Sequence, residues 1–274
     1  MKLFCGGKII GGKTKIIYQS PYDSHCVLIE SKDAITAGDG AKRDQLIDKA
    51  IFSTRTTSNC FKLLGLKGIP THYIGQTTSK IFLARKMKMI LLELITRRIA
   101  TGSYLKRNPE IVEGMAFDSL VFEVFLKNDK MHDPLVVYDF KNEISLLYDP
   151  KKPLLNGFFQ KRSLEEGDIL MTPYLLNDLR DLAVKTFEIL ENAWAKQNVV
   201  LVDLKIECGF DEETGKLMVA DVIDNDSWRI WPSGDKEQQK DKQVYRDLST
   251  MTPESRELLK KNYQWVAKAT EKFV

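Results

Sequence analysis

Leu201–Arg229 reads LVDLKIECGFDEETGKLMVADVIDNDSWR, and the rest of the chain can be placed around it. Asp203, Lys205 and Glu207 alternate with Val202, Leu204, Ile206 and Cys208. A period of two sends the charged set to one face of a strand and the apolar set to the other. Asp211–Lys216 supplies a turn, with Gly215 available for a positive φ. The spacing therefore predicts a hairpin, and symmetry about Thr214 sets Glu207 opposite Asp221 and Lys205 opposite Ile223. Asp224, Asn225 and Asp226 follow, and lead directly into Ser227-Trp228-Arg229. Carboxylates held close together on a rigid element repel each other unless a cation intervenes. Oxygen ligands from one or two carboxylates suit Mg²⁺ shared with nucleotide phosphates. A salt-bridged surface hairpin is the other reading.

The chain has 274 residues, enough for one large domain or two lobes with a sizeable core. Its 43% hydrophobic and 29% charged residues are those of a soluble globular protein. No apolar run reaches the length of a membrane span. The start, MKLFCGGKII, lacks the apolar core and small-residue cleavage site of a secretory signal. Cys5, Cys26, Cys60 and Cys208 lie far apart, and His25, His72 and His132 are equally scattered, which argues against zinc. Reduced thiols and a cytoplasmic location are expected. A net charge of +3 does not point to nucleic acid. Neither a nucleic-acid nor a membrane partner is expected.

Gly7 through Thr14 matches the pattern G-x-x-x-x-G-K-T. A phosphate loop of that type needs a helix to follow it. Here Lys15-Ile16-Ile17-Tyr18 follows, which favours a strand. The segment reads as strand, Gly-Gly turn, strand: a flap able to lie over phosphates, with Lys13 and Lys15 alternating toward them, or an ordinary hairpin. Thr36, Gly38, Asp39 and Gly40 mark an irregular loop, and Ala41–Leu64 has helical spacing. Residues 71–101 read as strands, with Lys86–Glu93 apolar except at its ends and expected to be buried. In an ATP-binding protein such a segment can offer backbone groups to adenine. Arg97 and Arg98 point to opposite faces of their strand, and Arg97 with Ser103 beside a Gly turn could clamp a phosphate or carboxylate. A plain surface arginine is the alternative. Leu120–Lys127 is a strand, and Asn128–Gly167 is loop-rich with no function assigned. Tyr174–Lys196 is an amphipathic helix. WPSGDKEQQKDKQVYRD reads as a long mobile polar loop, and Thr252-Pro253 starts a last helix that runs to Phe273.

At RRIATGS, LVDLKIECG and DVIDNDSWRIWPSGD the chain resembles the SAICAR synthetases, the phosphoribosylaminoimidazole-succinocarboxamide synthases. GGKTK, SKDAITAGDGAKR, RRIATGSYLKRNP and QQKDKQVYRDL extend the likeness over nearly the whole length, least well across Tyr138–Thr172. The nearest likeness is to the synthetase half of the animal bifunctional purine-synthesis enzyme. Where the family pattern has proline, Leu91 stands here, and Cys208 replaces an expected Phe or Ile. The resemblance implies a two-lobed α+β scaffold, kinase-like or ATP-grasp-like, with antiparallel sheets and flanking helices. It implies a β-rich ATP-binding lobe over residues 1–90. An α/β lobe over residues 91–274 would carry the metal and ribonucleotide sites.

The implied reaction joins L-aspartate to carboxyaminoimidazole ribonucleotide, with ATP converted to ADP and phosphate through an acyl phosphate, in purine biosynthesis. The implied cofactors are ATP and Mg²⁺. Lys13, Lys15, Met89 and Glu93 would bind ATP, and Glu207 and Asp221 the metal. Asp39, Arg97, Ser103, Asp226, Arg229, Lys242 and Arg246 would bind substrates. Asp203 and Lys205 would be catalytic, with Asp203 a candidate acceptor for the aspartate amine proton. A homo-oligomer is expected, with any carboxylase half either on another polypeptide or left out of this sequence. A phosphotransferase on a kinase-like scaffold is the competing function, and a non-catalytic nucleotide-binding protein the third.

Overall fold

The computed structural model describes residues 6–38, 40–162 and 172–274, without the side chains of 160–162. In chain order the first elements are β1 (Lys8–Gly11), β2 (Lys15–Gln19), β3 (Cys26–Ser31), β4 (Ala34–Ala37), β5 (Lys42–Gln45), α1 (Lys49–Leu66), β6 (Tyr73–Gln76) and β7 (Ile81–Arg85). Then come β8 (Met87–Ile99), α2 (Ser103–Arg107), β9 (Ala116–Leu126), β10 (Leu135–Asp139), β11 (Ile144–Tyr148) and β12 (Phe158–Arg162). The chain closes with α3 (Pro173–Ala195), β13 (Val199–Asp211), β14 (Leu217–Ala220), β15 (Trp228–Pro232), α4 (Gln243–Asp247) and α5 (Pro253–Thr270).

Two antiparallel sheets result. The first has the order β1-β2-β3-β7-β6. The second runs β12-β11-β10-β9-β8-β13-β14, with β15 also on β13. A separate hairpin joins β4 to β5. The Gly-rich segment near the start is the expected strand-turn-strand, with no helix after Lys13-Thr14. The apolar side of β13 (Leu204, Ile206, Cys208) is buried with Leu179, Phe187, Leu190 and Trp194 of α3 in one large core. Both long C-terminal helices start where the sequence says. Thr172 accepts from Leu175 N–H ahead of Pro173, and Thr252 forms a capping box with Ser255 ahead of Pro253. Burial of such an apolar helix face supplies most of a helix's stability in a protein.

Four expectations differ from the structure. The turn closes through Gly215 N–H to Asp211 O at 2.8 Å and Asp211 N–H to Lys216 O at 3.0 Å, so Glu207 pairs with Ala220 rather than Asp221. The slip is one residue, and it leaves Asp221 just beyond the ladder at φ 60 and Lys205 outside the hairpin. Helix α1 starts at Lys49, not near Ala41. Lys42–Gln45 instead pair with Ala34–Ala37 across positive-φ Gly38 and Gly40, and Asp48 at φ 71 separates strand from helix. Lys86–Glu93 is not uniformly buried: Ile90 and Leu92 are buried while Lys88 and Leu91 are exposed, because only one face of the strand meets the core here. Finally, the polar run after Trp231 is anchored rather than free. Tyr245 is fully buried with Ile35, Leu46, Leu259 and Tyr263, and one such aromatic fixes the surrounding lysine-rich chain.

Candidate active site

The site is built where β13 changes partners. Val199–Leu204 pair with β15, while Glu207–Phe210 pair with β14. Between them the loop Asp221–Ser227 folds back, and Lys205 N–H donates to Ser227 O at 2.7 Å. On the other edge β8 sets Arg97 beside Asp203 and Glu93 beside Glu207. Asp203, Lys205 and Glu207 share one face of β13 and line a cleft of about 690 Å³. The β1–β2 hairpin contributes Lys13 and Lys15 to the same cleft.

At one end the acids are matched to lysines. Lys127 Nζ donates to both Glu207 oxygens at 2.6 Å, and Lys15 Nζ donates to Asp221 Oδ1. Lys205 Nζ lies 2.5 Å from Glu93 Oε1 and 3.8 Å from Glu207 Oε1. Burial, then the neighbouring Asp221 charge, pushes the Glu207 carboxyl up. Burial pushes Asp221 up as well, but Lys15, aided by Lys127 and Lys205, holds it down at about 2. For Lys205 burial favours the neutral amine, yet Glu93 and Glu207 together raise its pKa. His72, buried beneath, must carry its proton on Nε2, since it lies 3.0 Å from the acceptor Asp221 O.

At the other end the acids are matched to arginines. Asp203 Oδ2 accepts from Arg97 Nη1 at 2.8 Å and from Arg229 Nη1. Arg229 reaches past Gly102, which sits at φ 62, and a Cβ on Gly102 would lie 2.7 Å from Arg229 Nη2. Ser103, first residue of α2, lines the cleft beside them. A third cluster surrounds Asp226, which accepts from Tyr263 Oη at 2.6 Å and Lys242 Nζ at 3.0 Å, with Lys49 Nζ at 3.9 Å. Burial opposes ionisation of Asp226, but Lys49 and Lys242 prevail and lower its pKa strongly.

Of the residues singled out in the sequence, Lys13, Lys15, Glu93, Arg97, Ser103, Asp203, Lys205, Glu207, Asp221, Asp226, Arg229, Lys242 and Arg246 all line this cleft. Met89 does not: it pairs with Gly209 beyond an irregularity in the β8–β13 ladder. Asp39 lies outside the described residues. The sequence reading missed Lys49, Lys127 and Asp129, and named Asp224 in the acidic run without giving it a role. Lys127 ends the strand LVFEVFLK and could have been suspected as the one cation closing an apolar run. Lys49 looked like an interior helix residue because the helix was started too early.

The fold and cleft define a class: an α+β protein whose walls carry lysines and arginines for anionic substrates around paired carboxylates. A model of SAICAR synthetase matches residues 8–261. The phosphoribosylaminoimidazole-succinocarboxamide synthase of Roseiflexus sp. is 41% identical over 269 residues, covering 98% of this chain and 98% of that protein. The bifunctional purine synthesis protein purC/E of Dictyostelium discoideum is 45% identical over 97% of this chain, which spans only 27% of that protein's length. Among solved structures, the phosphoribosylaminoimidazole-succinocarboxamide synthase from Ehrlichia chaffeensis superposes with a TM-score of 0.76 at 28% identity, covering 97% of this chain and 98% of that one. A SAICAR synthetase in complex with ADP superposes with a TM-score of 0.73 at 27% identity, covering 93% and 97%. The chain belongs to the SAICAR synthetase family.

Proposed function

We propose that this chain is an ATP-dependent ligase that joins L-aspartate to carboxyaminoimidazole ribonucleotide, giving SAICAR, ADP and phosphate in purine biosynthesis. The observation that carries the reading is the floor of β13. It holds arginine-bound Asp203 at one end, lysine-bound Glu207 at the other and Lys205 between them, under the Lys13–Lys15 flap. A carboxylate is a poor acyl donor, because oxide would have to leave. Phosphoryl transfer from ATP makes an acyl phosphate, which the aspartate amine can attack with phosphate departing. Such transfer depends on positioning and charge neutralisation more than on covalent help.

We assign residues 1–90 to the ATP side, with Lys13 and Lys15 on the phosphates, and residues 91–274 to the ribonucleotide side. Arg97, Ser103 and Arg229 would take the ribonucleotide's phosphate or carboxylate. Asp226, Lys242 and Arg246 would position a second anionic substrate. Asp203, already accepting from two guanidiniums, suits orienting them better than taking a proton from the amine. Lys205 would sit against the reacting carboxylate, its charge secured by Glu93 and Glu207.

Glu207 and Asp221 offer hard oxygen donors on one space, which fits Mg²⁺. Among the described residues no third acidic, thiol or imidazole group completes a metal cluster with them. Phosphate oxygens and water would supply the rest of the shell, and the ion would neutralise phosphate charge. Lys15 and Lys127 then hold the acids in its place when nucleotide is absent.

A homo-oligomer in the cytoplasm completes the proposal. No helix among the described residues is long and apolar enough to cross a membrane. Phe140, Leu155 and Phe158 stay exposed near edge strand β12. The phosphotransferase alternative is not favoured, because the family match is to a synthetase. An assay with ATP, L-aspartate and the ribonucleotide, each withheld in turn, tests the function: ADP release should require all three. Release with a simple alcohol replacing aspartate would overturn it.

A further inference from the structure

Behind the arginines at the ribonucleotide end lies a second layer of buried charge. Glu123 of β9 and Arg107 of α2 do not line the cleft, yet both are wired to it. Arg97 Nε donates to Glu123 Oε2 at 2.6 Å, and Arg107 Nη2 donates to Glu123 Oε1 at 2.5 Å. Arg107 Nη1 in turn donates to Pro150 O at 2.7 Å, and its guanidinium lies over the Phe125 ring at 5.2 Å. With Asp203 the order is Arg107, Glu123, Arg97, Asp203, Arg229: cations and anions alternate from the interior to the cleft wall.

Arg97 and Arg107 are 1% and 3% exposed. A buried guanidinium needs its donors satisfied, and for Arg97 a carboxylate oxygen lies on each side. Arg107 has Glu123 on one side and Pro150 O on the other, and keeps a buried Nε without a hydrogen bond among the described residues. Arg97 gives Nε to Glu123 and Nη1 to Asp203, and its Nη2 makes no hydrogen bond among the described residues. The planar fork is thereby fixed in the wall of the cleft that Arg97 lines. Arg107 fixes Glu123 in the same way from behind. β8 and β9 also pair from Leu92 to Arg97 through their backbones, so the strands that carry Arg97 and Glu123 are joined independently of these side chains.

We infer that Glu123 and Arg107 are positioning residues for the ribonucleotide, aiming Arg97 through a chain of buried ion pairs that ends at Arg229. The inference rests on the ligase reading, in which Arg97 and Arg229 grip that substrate.

Two variants test it, Glu123→Gln and Arg107→Lys, each read by steady-state kinetics, by calorimetric binding of carboxyaminoimidazole ribonucleotide and by thermal melting. Glu123→Gln keeps the shape but removes the charge shared by two guanidiniums. Its KM and Kd for the ribonucleotide should rise about 10-fold, while KM for ATP and kcat stay within about twofold. Arg107→Lys, which keeps charge but loses the fork, should raise the same two constants about threefold. Unchanged ribonucleotide constants in both variants would overturn the relay, as would equal rises for all three substrates, the mark of a merely structural role. If Glu123→Gln fails to fold, Arg107→Lys decides alone. A wild-type protein that binds the ribonucleotide without turning it over refutes the ligase reading, and the relay then stands or falls on Kd. Wild-type protein that does not bind it refutes both.

Discussion

Asp203 and Glu207 occupy the same face of the same strand, yet their surroundings are of opposite kinds. Asp203 is gripped by two guanidiniums, planar forks that leave a carboxylate little freedom. Glu207 is met by Lys127 and, farther off, Lys205, compact charges on flexible stems. Lys127 is 44% exposed at its side chain, whereas Arg97 is 2%. An acid between a buried arginine and a mostly buried one is part of the scaffold that aims them. An acid held by half-exposed lysines is neutralised by partners that can swing away, so it can accept another cation without the fold changing. One strand thus presents a rigid end suited to recognition and an exchangeable end suited to charge neutralisation.

The exchangeable end should be the more costly to disturb. Glu207→Gln preserves volume but removes the charge facing Lys127 and Lys205. Turnover should fall about 100–1000-fold, with KM for the ribonucleotide changed less than about threefold, because charge stabilisation of this kind acts on the chemical step. Steady-state kinetics with each substrate varied in turn would check this, and a large ribonucleotide KM effect would erase the contrast between the two ends. At the rigid end, Arg229→Lys keeps the charge and loses the fork. It should lower kcat/KM for the ribonucleotide about 30-fold, roughly 2 kcal/mol, while KM for ATP holds.

A third experiment separates the two ends by pH. His72 supports the Glu207 end through Asp221 O, and burial lowers its pKa from 6.5 to about 4. A group depressed in this way contributes stability above its unfolded value of 6.5, and that stability is lost as pH falls toward 4. Between about pH 7 and about pH 5 the loss should be about 2 kcal/mol. Glu207 works the other way: its raised pKa means that the folded chain takes a proton first on acidification, which adds stability. Asp221, lowered from 3.8 to about 2, acts only below that window. Comparing wild type with His72→Gln cancels the two carboxylates, so urea midpoints of the variant should vary less across this range. Parallel curves for the two proteins would show that His72 is not held neutral.

The difference between the ends also explains what could be read in advance. Alternation in LVDLKIEC placed Asp203, Lys205 and Glu207 on one face, and that held because strand geometry is local. The helix after Thr252-Pro253 was legible for the same reason, since a cap is local chemistry, and Tyr174–Lys196 was legible from the spacing of its apolar face. The hairpin register was missed by one residue, because turn closure at Asp211 and Lys216 depends on hydrogen bonds that composition does not specify. Lys127, Lys49 and Glu123 were invisible as partners, since each meets its acid or cation only when strands or helices distant in sequence come together. Lys42 shows the same limit. It donates to Tyr245 O and Leu248 O and so fastens the β4–β5 hairpin to the C-terminal end of α4, a link nothing in SKDAITAGDGAKR announces.

The smallest expected effect probes how finely the rigid end is set. Gly102 combines φ 62 with ψ −133, a conformation that side-chain-bearing residues avoid. Its missing Cβ also makes room for Arg229, whose Nη2 would stand 2.7 Å from that atom. A free surface arginine could swing aside at little cost. Arg229 cannot, because Nη1 is tied to Asp203 and Nη2 lies 3.4 Å from Gln243 Oε1. Gly102→Ala should therefore act twice: backbone strain of about 1 kcal/mol in melting, and a shift of Arg229 that lowers kcat/KM for the ribonucleotide about fivefold. ATP constants should hold, since Lys13 and Lys15 sit on the other sheet. If Gly102→Ala lowers stability but leaves the ribonucleotide constants untouched, Arg229 has slack, and the arginine end is no more rigid than the lysine end opposite it.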